Sequence, residues 1–545
     1  MTWWKDTIVY EIYPDSFYDS NGDGLGDLNG IREKLPELVR LGVETLWLCP
    51  IFSSPMKDGG YDVSDYLKIR RSLGSLEDFD QLVKSLKDND MRLILDIPLN
   101  HTSDQHTWFL ESKKSKKNPY RNFYIWKSGR GHAPPNNWIS SKVGGSCWAQ
   151  TKETDDYYLH LYSDWQPDLN WENPEVRQAV TQVLQFWIDR GVDGFRLDVI
   201  NKIGKEPGLP DVSVDPATNL PEYPEAFFQN HSLSHRYIQE LRSRLIGEDL
   251  FLIGQTQGIT ELEAYAYAAP IRKELDSFLQ FEPTDYYREK KQSQEAFIMG
   301  WKERLFRWQM IDAELAAMIF FGSHDLSRTV SHFGEDRRYW RESSKALALL
   351  LLSLRGVPVI YMGEEIGMTN ARYRHFSQYQ DIRTCLTYQR RVLEGGEPEE
   401  KVLRDVWETS RDNARYPMHW SAESHAGFSV VKPKLSPAIN YRHVNVAREL
   451  NDKTSILSFY QRMINLRKVE STLRRGSFKP LECQPGVISF QRLWQGRRLV
   501  IEVNLTSREK DRTFFEEGKC LITTHSKHKR QSKLAAYEGR ILVIQ

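Results

Sequence analysis

Short runs of β-branched and aromatic residues recur along the chain and alternate with longer amphipathic segments. Eight such runs occur, at residues 8–17, 43–52, 92–101, 194–200, 251–256, 277–282, 317–325 and 357–363. The segments between them, such as 76–87 and 176–189, are predicted to be helices. This alternation is typical of parallel strands joined by crossover helices. Eight strand–helix units therefore predict an α/β fold, a closed (β/α)8 TIM barrel.

Three regions depart from the repeating pattern. Residues 102–168 are too long for a simple crossover and carry Gly, Pro, Asn and Trp throughout, which indicates a subdomain inserted after the third strand. Residues 371–429 are predicted to form an irregular insertion after the eighth strand. Residues 474–545 contain short alternating apolar runs, which predict a C-terminal antiparallel β-sandwich domain. The barrel would then comprise residues 1–101 and 169–473.

Composition narrows the classes of partner. The 545 residues include 74 Lys+Arg and 74 Asp+Glu, and 527–530 is the only marked basic run, so neither nucleic acid nor an anionic membrane is expected as a partner. No apolar stretch approaches the ~18 residues of a membrane span, and the first apolar run starts too early to leave room for a signal peptide. The five cysteines are scattered and lack metal-type spacing. We therefore expect a cytoplasmic protein with reduced cysteines.

Polar side chains stand where four predicted strands end. These strand ends carry 96–101 on the third strand, Arg196 and Asp198 on the fourth, Gln255 on the fifth, and His324 and Asp325 on the seventh. In barrels of this type the active site forms at the C-terminal ends of the strands. Four polar strand ends in order therefore favour a catalytic site over isolated structural residues.

Arg196 and Asp198 are expected to enter one cavity together, because residues two apart in a strand point to the same face. A neighbouring cation lowers the pKa of a carboxyl group, so Asp198 is expected to be ionised and ready to act as a nucleophile. The fifth run ends in FLIGQ, at 251–255, where the same chemistry calls for a carboxylic acid. Gln255 cannot donate a proton as an acid does.

Four strings together carry a family resemblance: DIPLNH at 96–101, QPDLN at 166–170, GFRLD at 194–198 and SHD at 323–325. In this order and spacing the chain resembles the alpha-amylase superfamily of glycoside hydrolases. Within it, the chain is similar to the bacterial group of oligo-1,6-glucosidases, dextran glucosidases and alpha-glucosidases. The resemblance spans nearly the whole chain.

The resemblance implies a role for each matching position. Asp198 would be the nucleophile, position 255 the general acid/base, and Asp325 the carboxylate that holds the sugar hydroxyls and stabilises the transition state. Further substrate-binding positions implied in the same way are Tyr61, Asp62, His101, Tyr162, Gln166, Arg196, Val199, His324 and Arg411. An ion pair between Asp62 and Arg411 would close the pocket behind one glucose, although a purely structural ion pair is the alternative.

The implied activity is that of a retaining, exo-acting alpha-glucosidase. It would release glucose from the non-reducing end of a small oligosaccharide such as maltose or isomaltose, with transfer to another sugar as a side reaction. Val199, directly after the nucleophile, favours alpha-1,6 over alpha-1,4 linkages within the resembling group. A sucrose isomerase-type enzyme and a non-catalytic sugar binder are the alternatives. The protein is expected to be a monomer without an organic cofactor.

Gln255 departs from the family pattern. It is either a deliberate Glu→Gln replacement that allows binding without turnover, or the mark of a natural pseudoenzyme. We favour the replacement, because a lineage freed from catalysis would be expected to lose Asp198 or Asp325 as well. The chain as written is then expected to bind sugar and barely hydrolyse it.

A loop after the first strand spaces oxygen-bearing residues two apart around glycines. Its potential metal ligands are Asp19, Asn21, Asp23, Asp27 and the backbone carbonyl of Leu25. Such oxygen ligands suit a hard cation, and the loop resembles the calcium or magnesium loop of the same group. A turn stabilised by Asp and Asn side chains alone is the other interpretation. We expect a structural Ca²⁺ or Mg²⁺ ion.

Overall fold

The computed structural model describes residues 2–140, 145–247, 249–289, 291–514, 518–525 and 532–544. The basic run at 527–530 lies outside these ranges. Two compact units are formed, one by Met1–Trp47, Lys84–Arg92 and Gln280–Gln545 and the other by Leu48–Val83 and Leu93–Leu279. We refer to them as the first and the second unit.

Eight parallel strands close into a barrel in their chain order, with the eighth beside the first. They are β1 (Val9–Ile12), β2 (Thr45–Leu48), β3 (Arg92–Pro98), β4 (Gly194–Asp198), β5 (Phe251–Gln255), β6 (Ser277–Leu279), β7 (Met318–Ile319) and β8 (Val357–Tyr361). Each lies inside one of the eight predicted runs, so the barrel prediction is confirmed. The strands are buried nearly throughout, as expected where both faces of a parallel sheet are covered.

The α-helices supply the crossovers and several extra segments. They are Leu28–Leu41, Leu76–Lys87, Thr107–Lys114, Pro174–Ile188, Ser232–Arg244, Glu261–Ala268, Gln294–Gln309, Thr329–Phe333, Trp340–Ser353, Ile382–Tyr388, Glu399–Thr409, Asp412–Arg415, Val446–Leu450, Ile456–Val469 and Ser471–Arg475. The helix before β4 shows why such segments fold locally. The Asn173 side chain caps its first turn by accepting from the N–H of Glu175, and Pro174 fills the first helical position, where no N–H is needed.

In the second unit, the inserted segment 102–168 carries a helix and a small antiparallel sheet. The sheet contains Trp126–Lys127, Tyr157–Leu159 and Trp148–Gln150 in that order. Trp138, Trp148 and Leu159 belong to an apolar cluster that also includes Phe228, from the loop before the helix Ser232–Arg244. Two short pairs, Phe52–Ser53 with Asp65–Ile69 and Val214–Asp215 with Leu220–Pro221, complete the strands of this unit.

In the first unit, segment 371–429 is more helical than the sequence predicts. It contains the α-helices Ile382–Tyr388, Glu399–Thr409 and Asp412–Arg415 and a π-helical stretch at Gln389–Glu394. The helix Glu399–Thr409 buries only Val402, Leu403 and Val406. These three positions have the spacing of one helix face, so the period of this helix is visible in the sequence.

The C-terminal region is an antiparallel β domain, as predicted. Five strands form one sheet in the order Ser477–Pro480, Val487–Trp494, Arg497–Asn504, Gly539–Ile544 and Gly518–Thr523. Lys510–Asp511 and Lys533–Leu534 pair as a separate ribbon. The sandwich arrangement of these elements stays a prediction. Among the described residues, no helix has both the length and the apolar character needed to cross a membrane.

Two adjacent buried carboxyl groups, Glu364 and Glu365, follow β8. Glu365 accepts hydrogen bonds from the Tyr10 hydroxyl and the Gly363 N–H, both at 2.8 Å. Glu364 accepts from the Thr329 hydroxyl, whereas its Oε2 has no hydrogen-bond partner among the described residues. Burial raises the pKa of Glu364 to about 8 and that of Glu365 to about 7. Glu364 is therefore expected to be protonated at neutral pH.

This pair makes stability depend on pH. A raised pKa in the folded state means that the protonated form of Glu364 stabilises the fold fully below about pH 4.5, and that this contribution is lost as the pH rises through about 8. One proton contributes a slope of up to ~1.4 kcal/mol per pH unit. The Glu364→Gln variant is neutral at every pH, so its unfolding free energy should fall less than that of the parent between about pH 5 and 8.

Thermal unfolding of both proteins across this range measures the difference. Glu365→Gln is the comparison variant, because it removes the pH dependence of the neighbouring acid, whose pKa is about 7, and should keep the part of the slope near pH 8 that Glu364 contributes. Parallel stability curves for the parent and Glu364→Gln would contradict the assignment.

Candidate active site

A buried arginine links two carboxylates at the ends of β3 and β4. The Nη1 atom of Arg196 lies 2.8 Å from Asp96 Oδ1 and 2.5 Å from Asp198 Oδ1. The strand register places Asp96 beside Arg196, and Arg196 and Asp198 share one strand face as predicted. The Tyr61 hydroxyl donates to Asp96 Oδ2 at 2.8 Å. Asp198 is thus held by a cation, while Asp96, which the resemblance did not single out, is fully buried behind it.

Gln255 contacts the backbone of Val199, the residue that directly follows Asp198. The N–H of Val199 donates to Gln255 Oε1 at 3.2 Å. Val199 has φ 43° and ψ 36°, the left-handed region that β-branched residues strongly disfavour. Strain of this kind persists only where the surrounding structure imposes it, and it often occurs at functional sites. The structure therefore brings Asp198, Val199 and Gln255 together at the ends of two neighbouring strands.

Tyr61, His101 and Gln166 form a polar cluster in the same unit. His101 Nε2 lies 3.2 Å from the Tyr61 carbonyl oxygen and 3.1 Å from Gln166 Nε2. The Gln166 amide also donates to Asp58 at 3.2 Å. The Tyr162 ring lies 5.2 Å from the His101 ring, centroid to centroid. Four of the predicted substrate-binding residues thus lie side by side.

Asp62 is buried and accepts three hydrogen bonds. The Ser54 hydroxyl donates at 2.9 Å, the Lys57 N–H at 3.0 Å and the Asp58 N–H at 3.2 Å. Burial nevertheless raises the pKa of Asp62 above its ordinary value. These bonds orient its carboxylate rigidly. Its expected pairing with Arg411 stays a prediction.

In the first unit, Asp325 is surrounded by cations. Arg415 Nη2 lies 2.8 Å and Arg411 Nη1 3.2 Å from Asp325 Oδ1, and His324 Nε2 lies 3.4 Å from Oδ2. Burial raises the pKa of Asp325, but His324 and the two arginines outweigh burial and hold it well below its usual range. The Asp325 side chain is 26% exposed, so an ionised carboxylate remains accessible.

Two neighbours of Asp325 are fixed by acids on other elements. Arg411 Nη2 binds Asp381 Oδ1 at 2.6 Å, and Glu11 Oε1, on β1, lies 2.6 Å from His324 Nδ1. Sequence analysis had not identified Glu11, Asp381 or Arg415. A charge inside the apolar run 8–17 was the available signal for Glu11. Arg415, one helical turn after Arg411, was the signal for a second arginine.

In the loop expected to bind metal, Asp and Asn side chains accept hydrogen bonds from backbone N–H groups of the same loop. Asp19 accepts from the N–H groups of Gly22 at 2.7 Å and Gly24 at 2.8 Å and from the Ser429 hydroxyl at 2.6 Å. Asn21 accepts from the N–H of Asp23, and Asp23 from the N–H of Leu25, both at 2.9 Å.

Asp27 caps the helix Leu28–Leu41 through the N–H of Gly30. Among the described residues, Asp19, Asp23 and Asp27 do not bring one oxygen of each within 4.8 Å of the other two. The hard oxygen donors suit Ca²⁺ or Mg²⁺ in kind. The hydrogen bonds are also those of a turn stabilised by Asp and Asn, so both interpretations stay open.

The eight-stranded parallel barrel, with Asp198 held by Arg196 at the end of β4, has the architecture of the alpha-amylase type of catalytic domain. The family model described as the alpha-amylase catalytic domain matches residues 11–476, and the chain belongs to this family. It is 42% identical to an oligo-1,6-glucosidase of Bacillus cereus over 93% of this chain and 91% of that protein. It is also 40% identical to a glucan 1,6-alpha-glucosidase of Streptococcus pneumoniae, over 95% and 94%.

Solved structures resemble the whole chain. Trehalose-6-phosphate hydrolase of Bacillus licheniformis superposes with a TM-score of 0.93 at 33% identity, covering 100% of both chains. A trehalulose synthase described as an inactive double mutant, with one Glu-to-Gln and one Asp-to-Asn change, superposes with a TM-score of 0.91 at 34% identity, covering 100% of both chains. The family resemblance inferred from the sequence is thereby confirmed.

The contact of Arg196 with two buried carboxylates predicts a large effect on stability. Arg196→Met leaves Asp96 and Asp198 without their cation, and removing one partner of a buried ionic network costs about 3–5 kcal/mol. Arg40→Met is the matched control, because Arg40 pairs with Glu37 at the surface, where ion pairs contribute under about 1 kcal/mol. Denaturant unfolding measures both, and equal losses would contradict the prediction.

Proposed function

We propose that the protein is a retaining, exo-acting alpha-glucosidase of oligo-1,6-glucosidase type, in which Gln255 replaces the glutamate that serves as acid and base. Its substrates are short alpha-gluco-oligosaccharides, from which it would release glucose at the non-reducing end. The chain with Gln255 binds these sugars and barely cleaves them. The observation that carries the proposal is the contact of Arg196 with Asp198, beside position 255.

The chemistry assigns one task to each residue. Asp198, held by its contact with Arg196, attacks the anomeric carbon and forms a glycosyl ester as the glycosidic bond breaks. A retaining enzyme needs a second carboxyl group about 5–5.5 Å from the nucleophile, to protonate the leaving oxygen and then to activate water. Position 255 adjoins the nucleophile and is suited to this task. Its amide has no proton to transfer.

We assign Asp325 to hydroxyl groups of the bound glucose. The cations around it keep the carboxylate ionised, and a charged acceptor makes strong hydrogen bonds to hydroxyl groups. His324 and His101 would donate to further hydroxyls, and Tyr162 would offer a ring face. Asp62 with Arg411 would close the pocket behind a single glucose, which makes the cleavage exo.

Relatives named for alpha-1,6 linkages and the identity of Val199 support an alpha-1,6 preference. A single methyl-sized difference shifts selectivity by only ~1–3 kcal/mol, so the preference is expected to be graded. The trehalulose synthase neighbours keep a sucrose isomerase-type reaction as the second candidate. Among the described residues, the five cysteines form no disulfide bond. We further propose that the protein is cytoplasmic and acts as a monomer, with glucosyl transfer to sugars as a side reaction.

Restoring the acid should restore activity. Gln255→Glu is expected to raise the hydrolysis of isomaltose by at least the ~10²–10⁴-fold that general acid catalysis contributes. Glucose release from isomaltose and maltose measures the rate and the linkage preference. Polarimetry or NMR of the glucose first released shows its anomeric form and so tests retention of configuration.

The control combines Gln255→Glu with Asp198→Asn, which keeps the acid but removes the nucleophile and should be inactive. If Gln255→Glu remains silent while the protein still binds isomaltose, the chain is a non-catalytic sugar binder. Conversion of sucrose to an isomer in preference to hydrolysis would favour the isomerase-type reaction.

We further propose that the loop of Asp19, Asn21, Asp23, Leu25 and Asp27 holds a structural Ca²⁺ or Mg²⁺. Such an ion would offset two of the three negative charges of Asp19, Asp23 and Asp27 and stabilise the loop before the helix Leu28–Leu41. Its chemistry would be structural, and Asp198 and position 255 would act without it.

Metal binding to the folded state raises stability by mass action, by about 2.7 kcal/mol at a hundredfold excess over the dissociation constant. Chelator treatment should therefore lower the melting temperature, and Ca²⁺ or Mg²⁺ should restore it. In an Asp23→Ala variant, where Asp23 is an exposed residue, the response to both ions should disappear. An unchanged melting temperature after chelation would indicate a turn that needs no metal.

A further inference from the structure

Lys202 is a buried lysine close to the proposed nucleophile. It ends the 3-10 turn Ile200–Lys202, directly after β4, and is 8% exposed. Its Nζ lies over two aromatic rings, 5.5 Å from the centroid of Tyr162 and 5.8 Å from that of Phe228. Within the described part of the chain, this ammonium group has no hydrogen-bond acceptor and no ion-pair partner.

Lys205, three positions later, is also buried, but its ammonium group has three oxygen partners. Its Nζ binds Asp168 Oδ2 at 2.8 Å, Asn100 Oδ1 at 2.8 Å and the Lys202 carbonyl at 2.6 Å. A buried ammonium without such partners is unfavourable. Lys202 keeps all three of its N–H donors unused, so the fold leaves a strong donor available to a ligand.

The charges around Lys202 identify the kind of ligand. Burial lowers its pKa, while Glu225 and Asp198 act in the opposite direction. Two negative charges close by disfavour an anion, and phosphate sites usually combine several donors. The neighbouring Lys205 is already committed to Asp168 and Asn100. An ammonium beside the partly exposed Tyr162 ring instead suits a sugar, whose hydroxyl accepts the hydrogen bond while its apolar face packs on that ring.

The position of Lys202 indicates which sugar it contacts. It lies past the end of β4, beyond Asp198, and in such barrels the segments after the strands line the mouth. Tyr162 and Phe228 belong to, or pack against, the apolar cluster of the inserted segment and the loop before the helix Ser232–Arg244. Glucose bound at Asp198 would leave the segment after β4, with Lys202, to the next sugar.

We propose that Lys202 donates a hydrogen bond to a hydroxyl of the sugar on the leaving-group side and thereby selects disaccharides over simple glucosides. The proposal rests on the glucosidase function proposed above. Lys202 is a binding residue in this scheme and takes no part in proton transfer.

Calorimetric titration of the unaltered Gln255 chain tests the contact without turnover. Isomaltose has a second sugar, whereas methyl alpha-glucoside has none. Lys202→Met keeps the apolar stem and removes the donor. It should weaken isomaltose binding by about 10- to 100-fold, the range of a charge-assisted hydrogen bond, and leave methyl alpha-glucoside binding unchanged. Lys68→Met, at an exposed lysine paired with Asp65, is the matched control and should change neither.

The remaining outcomes are decisive. The proposal is overturned if Lys202→Met weakens the binding of both ligands equally or of neither ligand. It is also overturned if the protein binds trehalose 6-phosphate more tightly than isomaltose and this binding depends on Lys202. A purely structural lysine predicts a lower melting temperature for Lys202→Met. The proposal predicts an unchanged or higher one, because an unpaired buried charge has been removed.

A kinetic arm separates this proposal from the proposed function. In the Gln255→Glu background, Lys202→Met should reduce kcat/KM for isomaltose and spare a nitrophenyl alpha-glucoside, whose leaving group is no sugar. Complete inactivity of Gln255→Glu would count against the glucosidase function. Activity with equal losses on both substrates would count against the role of Lys202 alone.

Discussion

The contact of Arg196 with Asp96 and Asp198 is the interaction on which the proposed catalytic machinery depends. A buried carboxylate normally takes up a proton, because burial in a medium of low polarity disfavours its charge. Here one guanidinium nitrogen binds both acids, and the Tyr61 hydroxyl occupies the other side of Asp96. Asp96 therefore offsets the positive charge of Arg196 from its fully buried position. Arg196 in turn orients the Asp198 carboxylate at the end of β4. The residue proposed as the nucleophile is therefore positioned by the protein alone.

Much of this arrangement could be predicted from the sequence. The eight apolar runs contain the eight barrel strands because each buried parallel strand must be almost continuously apolar. Because side chains two residues apart in a β-strand point to the same face, the spacing of Arg196 and Asp198 is enough to predict that they share a face. The register beside Asp96 could not be derived this way, because it depends on how β3 and β4 align.

Other features are invisible to local patterns. Arg415 and Asp381 matter only because the chain folds them around Asp325 and Arg411. Lys202 looks like any solvated lysine in the sequence, and only its burial between Tyr162 and Phe228 makes its ammonium unusual. The roles of these residues depend on tertiary contacts, which the residue type and its sequence neighbours do not reveal.

The left-handed backbone at Val199 has one more consequence. Its N–H is a fixed donor, and only an oxygen can accept from it, so the amide of Gln255 has a single orientation. The Oε1 atom faces Val199, and the N–H₂ group takes the place where a glutamate would carry its hydrogen. A glutamate there would likewise have two unequal oxygens, one engaged by the main chain and one left to hold the hydrogen. In the proposed mechanism, the glutamine would thus imitate the protonated acid in the state before the glycosidic bond breaks.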